Sequence, residues 1–231
     1  MPTTGKMIEI ARPDGATLPA YLATPEGGER APAIVVIQEW WGLNDQMKRT
    51  ADRLAAAGYR ALVPDLYRGK VASDADEANH LMGDLDWGGA CNQDIKGAVT
   101  FLKEAGSKVA VLGFCMGGAL TILAAVHVPE VDAAVCFYGI PPADAADPAK
   151  IAAPFLAHFA VHDDWCTPAA VNGLEATLKA AEVPHTIFRY DAKHAFFNET
   201  RPEVYEPESA ELAWKRSLDF LGATLRDGAA S

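Results

Sequence analysis

The chain has 231 residues, half of them apolar, and a formal net charge of −11. That length and a mean hydropathy near zero suit one good-sized α/β core. The acidic balance and the lack of any basic run argue against nucleic acid and anionic membrane surfaces as partners.

The opening stretch "MPTTGKMIEIARPDG" lacks the basic-then-apolar layout of a secretory signal, and no apolar run approaches a bilayer span. A cytoplasmic protein is expected. No linker, repeat or low-complexity tract divides the chain, so one domain over 1–231 is expected, with the last few residues as a flexible tail.

"MIEIARPDGATLPAYLATP" reads as an antiparallel hairpin turning at Asp14-Gly15. "APAIVVIQ" (31–38) is a short β-branched run of the kind buried on both faces of a sheet. A helix follows with Met47, Ala51, Leu54 and Ala55 on one face and Gly58 as its stop. Next come a strand at 60–66, a polar Gly-interrupted stretch with a polar helix around His80, and a helix through "IKGAVTFLKEAG". Strands are expected at 108–114, 131–139, 153–161 and 185–190, with helices from Cys115 to about His127, near 168–181, and from near Glu206. Ala210, Ala213, Trp214, Leu218 and Leu221 recur at sheet-covering helical spacing in the last. This alternation predicts a mostly parallel central sheet with helices on both faces and an N-terminal antiparallel hairpin. In such sheets ligands bind beyond the carboxyl ends of the strands, so residues just after strands are the functional candidates.

Cys115 is the first. "GFCMGG" sets Gly113 and Gly117 two residues to either side of it, the G-x-nucleophile-x-G pattern of a tight strand-to-helix corner. A helix N-terminus there favours negative charge on sulfur, and the Met116 backbone N–H can serve an oxyanion. The competing reading is a buried packing cysteine. In "FAVHDDWCTP" the orienting acid is Asp164 or Asp163; Pro168, read as the helix start, favours Asp164 as the loop residue facing the site. His194 in "YDAKHAFFN" follows a strand and comes after the acid, whereas the rival His162 sits at a strand end. Nucleophile, acid and histidine in that chain order match the α/β-hydrolase fold. The four cysteines, at 91, 115, 136 and 166, show no zinc or disulfide spacing and are expected to be free.

"IQEWWG", "VPDLYRG", "GFCMGG", "CFYG", the acid loop and "HAFFN" together resemble successive landmarks of the dienelactone hydrolase (carboxymethylenebutenolidase) family over nearly the whole chain. The resemblance implies hydrolysis of a small-molecule ester or lactone through a thioester acyl-enzyme, without cofactor or metal. It also gives Glu39 a role: the family's matching glutamate contacts the resting thiol and takes part in its activation. A buried carboxylate beside a thiol can accept its proton, because desolvation raises its basicity. The Trp40 backbone N–H would be the second oxyanion donor. Family members that open dienelactone grip its carboxylate with two arginines. Arg68 lies one position before the first, and Asn198 stands where the second belongs, so an amide replaces a charge.

Trp40, Trp41, Tyr138, Trp165 and Phe197 all fall in or near post-strand positions, where some line a pocket and others pack as core. They suggest a substrate more apolar than dienelactone. A thioesterase or acyltransferase would use the same acyl-enzyme. A redox-sensing or binding protein would use Cys115 alone, with Cys166 as a resolving thiol or a packing residue. Oligomeric state is left open.

Overall fold

The computed structural model describes residues 3–226. In chain order it begins with β1 (Thr3–Ala11), β2 (Thr17–Pro25), β3 (Ala33–Ile37), α1 (Asp45–Ala56) and β4 (Arg60–Pro64). An excursion follows: α2 (Ala75–Gly83), α3 (Trp87–Gly89), a π-helical turn (Ala90–Ile95) and α4 (Lys96–Lys103). Then come β5 (Val109–Phe114), α5 (Met116–His127), β6 (Ala133–Phe137), β7 (Phe155–His162), α6 (Pro168–Ala180), β8 (His185–Lys193) and α7 (Pro207–Leu225).

The strands form one eight-stranded sheet in the order β1-β2-β4-β3-β5-β6-β7-β8. β1 and β2 are the expected hairpin, with Gly15 at φ +85° in its turn, and β2 pairs antiparallel with β4. From β4 across to β8 every pairing is parallel, with Val35 opposite both Leu62 and Val111. Every residue of β3, β4, β5 and β6 is buried, as continuous apolar runs covered on both faces must be.

Strand alternation sorts the core into two layers. Val35 and Ile37 face a cluster built with Val99 and Leu102 of α4, Leu120 of α5 and Leu174 of α6. Ile34 and Val36 face the other, built with Met47, Ala51 and Leu54 of α1 and Ala213 and Leu221 of α7. α1 starts where Asn44 accepts the Met47 N–H, and it ends before Gly58 at φ +91°. This is the α/β-hydrolase architecture read from the sequence. The excursion from 75 to 95 is richer in helix than its polar sequence suggested, because capping by Asp74 and Asp86 rather than apolar periodicity starts its helices. β8 runs three residues past its expected end. The expected C-terminal tail lies outside the described residues. Among the described residues no helix is long and apolar enough to cross a membrane.

Candidate active site

The carboxyl ends of five neighbouring strands deliver the site: β3 leads to Glu39, β5 to Cys115, β6 to Tyr138, β7 to Asp163 and β8 to His194. Cys115 occupies the corner between β5 and α5 at φ 55°, ψ −116°, a left-handed conformation that strains any side-chain-bearing residue. The corner closes only because its flanks are bare. A Cβ on Gly113 would overlap the Gly117 carbonyl oxygen, and one on Gly117 would overlap the Ile37 carbonyl oxygen. The Cys115 N–H donates to Phe137 O (3.0 Å), tying the corner to β6. Tyr138 (φ 37°) and Ala195 (φ 63°), which line the same cavity, also hold positive φ, as Arg68 and Glu182 do elsewhere.

His194 Nε2 lies 3.2 Å from Cys115 Sγ, and its Nδ1 lies 2.8 Å from Asp163 Oδ2. The acid partner is thus Asp163, which corrects the expectation of Asp164. Asp163 is the first residue past β7 and is buried. Its Oδ1 accepts the Trp165 and Cys166 N–H groups at 2.7 and 2.8 Å, which fixes the carboxylate and aims Oδ2 at the ring. Asp164 points to solvent. The start of α6 is capped by Thr167, so it needs neither aspartate. Burial opposes ionisation of both partners. The hydrogen bond and opposite charge they share outweigh it, holding Asp163 below the usual carboxylate range. The same bond, with that to the Cys115 sulfur, pushes His194 up to about 10.

Glu39 is buried, and desolvation raises its carboxyl above the ordinary value. Both of its oxygens accept: Tyr138 Oη–H donates to Oε1 (3.1 Å) and Asn198 Nδ2 donates to Oε2 (2.6 Å). The orientation of that amide follows from its other end, because Asn198 Oδ1 accepts from the Thr200 N–H (3.0 Å) and Oγ1–H (2.6 Å). Asn198, expected as a substrate contact, is fully buried and holds Glu39 instead.

Above these groups opens a cavity of about 490 Å³ lined by Cys115, Met116, His194 and Glu39 together with Trp40, Trp41, Tyr138 and Trp165. Two other expected contacts lie elsewhere. Phe197 is core: it stacks on Phe114 (5.0 Å) and packs against Phe137 and Trp214. Arg68 lines a separate, charged cavity with Arg12 and Lys70. Its guanidinium reaches both oxygens of Asp94 at 2.9 Å and donates to Asp65 O (2.8 Å), so a residue 26 positions away captures it.

Sequence reasoning missed Arg201 and Trp87, which also line the cavity over Cys115. Arg201 pairs with Glu203 and lies 5.6 Å over the Trp41 ring. Trp87, one bulky aromatic in the polar stretch "DLDWGGA", was the available signal for its region. His162 pairs with Asp191 at the surface, away from the thiol. All four cysteines are free, and Cys166 is buried beside Asp163. One group of metal-ligating type occurs among the described residues. It comprises Asp163, Cys166 and His194, with atoms within 4.8 Å, and the imidazole–carboxylate bond already engages two of the three.

The family model of the dienelactone hydrolase family matches residues 18–225, so the chain belongs to that family and is a carboxylic ester hydrolase. "Protein usf" of Aquifex pyrophilus is 35% identical over 228 residues, covering 94% of this chain and 97% of its own. The Aquifex aeolicus protein named "Putative carboxymethylenebutenolidase" is 32% identical over 234 residues, covering 96% and 100%. The crystal structure of a Klebsiella pneumoniae protein, "Putative Dienelactone Hydrolase", superposes with a TM-score of 0.83 at 27% identity, covering 96% of this chain and 99% of that one.

Proposed function

We propose that the chain hydrolyses small esters or lactones through an acyl-enzyme on Cys115, with His194 as base and Asp163 as the acid that orients it. One observation carries this reading: a single imidazole bridges a thiol at 3.2 Å and a buried carboxylate at 2.8 Å. Asp163 fixes the ring so that Nε2 faces the sulfur and stabilises the imidazolium form. Glu39, made more basic by burial, is a second acceptor for the thiol proton at the same cavity wall.

The thiol proton passes to His194 Nε2 as the sulfur attacks the ester carbonyl and forms a C–S bond. The carbonyl oxygen becomes an anion facing the backbone N–H groups of Met116 and Trp40; the first has no preceding helical carbonyl to bond, because it lies in the first turn of α5. The imidazolium of His194 gives its proton to the departing alkoxide as the C–O bond breaks. Water then attacks the thioester while His194 takes its proton; as the C–S bond breaks, that proton passes to the sulfur, which frees the acid and restores the Cys115 thiol. Only water is consumed.

Intact-mass spectrometry during turnover of an activated ester tests this. The expected result is one acyl group on Cys115, absent in Cys115→Ala, with turnover lost in His194→Ala. A protein that stays unmodified by a panel of activated esters, while its thiol is oxidised by peroxide, would instead make Cys115 a sensor.

A further inference from the structure

Of the five tryptophans in the chain, Trp40, Trp41, Trp87 and Trp165 line the cavity over Cys115, and Trp214 lies in the core. Trp40, Trp41 and Trp165 form a corner rather than a stack. Trp40 meets Trp41 at 5.2 Å and 69°, and meets Trp165 at 6.2 Å and 67°. Trp165 leans over the His194 ring at 6.3 Å and is 66% exposed. Isolated exposed apolar residues are ordinary, but a bulky indole left to water on the rim of a mostly apolar cavity gains when a ligand covers it. Indole faces are electron-rich and their edges electron-poor, so an edge-and-face corner suits a flat aromatic ring better than a saturated ring of equal size.

Charge narrows the choice further. Among the described residues Arg201 is the one Lys or Arg that lines this cavity, and Glu203 holds it at 2.7 Å. Arg68 is turned away onto Asp94. Glu39 adds a carboxyl to the same wall. A free carboxylate on the substrate would meet no unopposed cation.

We propose that this cavity selects neutral esters or lactones bearing an aromatic ring, and that Trp165, with Trp87 on the α2–α3 side, reads the ring. The proposal rests on the hydrolase reading above, so its test has one arm with turnover and one without.

The first arm compares kcat/KM for ethyl phenylacetate, ethyl cyclohexylacetate and a phenylacetate ester carrying a free carboxylate. The expected phenyl-over-cyclohexyl ratio is about tenfold, the scale of one or two aromatic contacts. The carboxylate-bearing ester should fall below its neutral parent. Trp165→Leu and Trp87→Leu should each cut the ratio severalfold; Trp165 is exposed, so its replacement leaves the core packing untouched. The second arm measures phenylacetamide and cyclohexylacetamide binding to the Cys115→Ala protein by calorimetry, where the same order is expected. A phenyl-to-cyclohexyl ratio near one in both arms, a ratio unchanged in both Trp variants, or preference for the carboxylate-bearing ester would overturn the proposal. Ring-selective binding without turnover of any ester would support the selective cavity and overturn the hydrolase reading instead.

Discussion

Two histidines of this chain sit 36 residues apart in sequence, and burial disfavours the charge of both, yet they end up shifted in opposite directions. His194 faces a carboxylate and a thiol and is raised from 6.5 to about 10. His158, inside β7, faces hydroxyls and is lowered from 6.5 to about 3, by burial first and then by the Arg216 charge. The Ser217 hydroxyl donates to Ala213 O (2.9 Å), so His158 Nε2–H must donate to Ser217 (3.0 Å) and its Nδ1 accepts from Tyr190 (2.8 Å). Neutral imidazole satisfies both contacts, and a second proton there would oppose a donor. Desolvation alone does not decide the charge of a buried ring; the charge of its partner does.

Removing that partner charge should break the contrast most strongly. Asp163→Asn should lower kcat/KM by about 10² to 10⁴-fold, because the ring loses its orienting acceptor. Activity of the wild type should fall above about pH 10, where the His194 imidazolium loses the proton it gives the leaving group. In Asp163→Asn this alkaline limb should move to lower pH. Asp164→Asn, altering a solvent-facing residue, should move neither rate nor limb; pH–rate profiles of the three proteins decide.

The second test concerns stability. Between 6.5 and about 3 the unfolded chain binds a proton at His158 that the folded chain refuses, so stability is lost as pH falls through that window. The slope from this one group approaches ~1.4 kcal/mol per pH unit. For His194 the sign reverses: its contribution is complete below 6.5 and is lost as pH rises towards about 10. Denaturant unfolding from pH 4 to 7 should show the acid decline in the wild type and a flatter profile in His158→Gln.

The smallest effect sharpens the contrast with a third buried group. Glu39 has neutral hydrogen-bond partners, as His158 does, but both of them donate and its oxygens only accept. Asn198→Ala should push its carboxyl further up and destabilise the fold by about 1–3 kcal/mol, read from the denaturant midpoint.

The sheet was legible because buried parallel strands are runs of apolar residues at regular spacing, and the corner at Cys115 because its steric demand writes glycines into the sequence. His194 was legible because it follows a strand in the right chain order. Asp163 was not separable from Asp164, since the choice depends on which way one turn faces, and the Trp165 and Cys166 N–H groups settle that only in three dimensions. Arg68 and Asn198 went astray for a related reason: each is captured by a carboxylate distant in sequence, Asp94 and Glu39. Phe197 looked like a pocket wall because it falls near a post-strand position beside His194, but its ring stacks on Phe114 and packs against Trp214.

Trp87 comes from the excursion between β4 and β5, whereas Cys115, His194, Asp163 and Glu39 are rooted in the ends of the strands. The aromatic wall of the cavity thus draws on two stretches of chain: Trp165 shares a loop with Asp163, and Trp87 belongs to the excursion. Substitution at Trp87 alone can therefore alter which ligands fit while the strand-end groups are inherited intact.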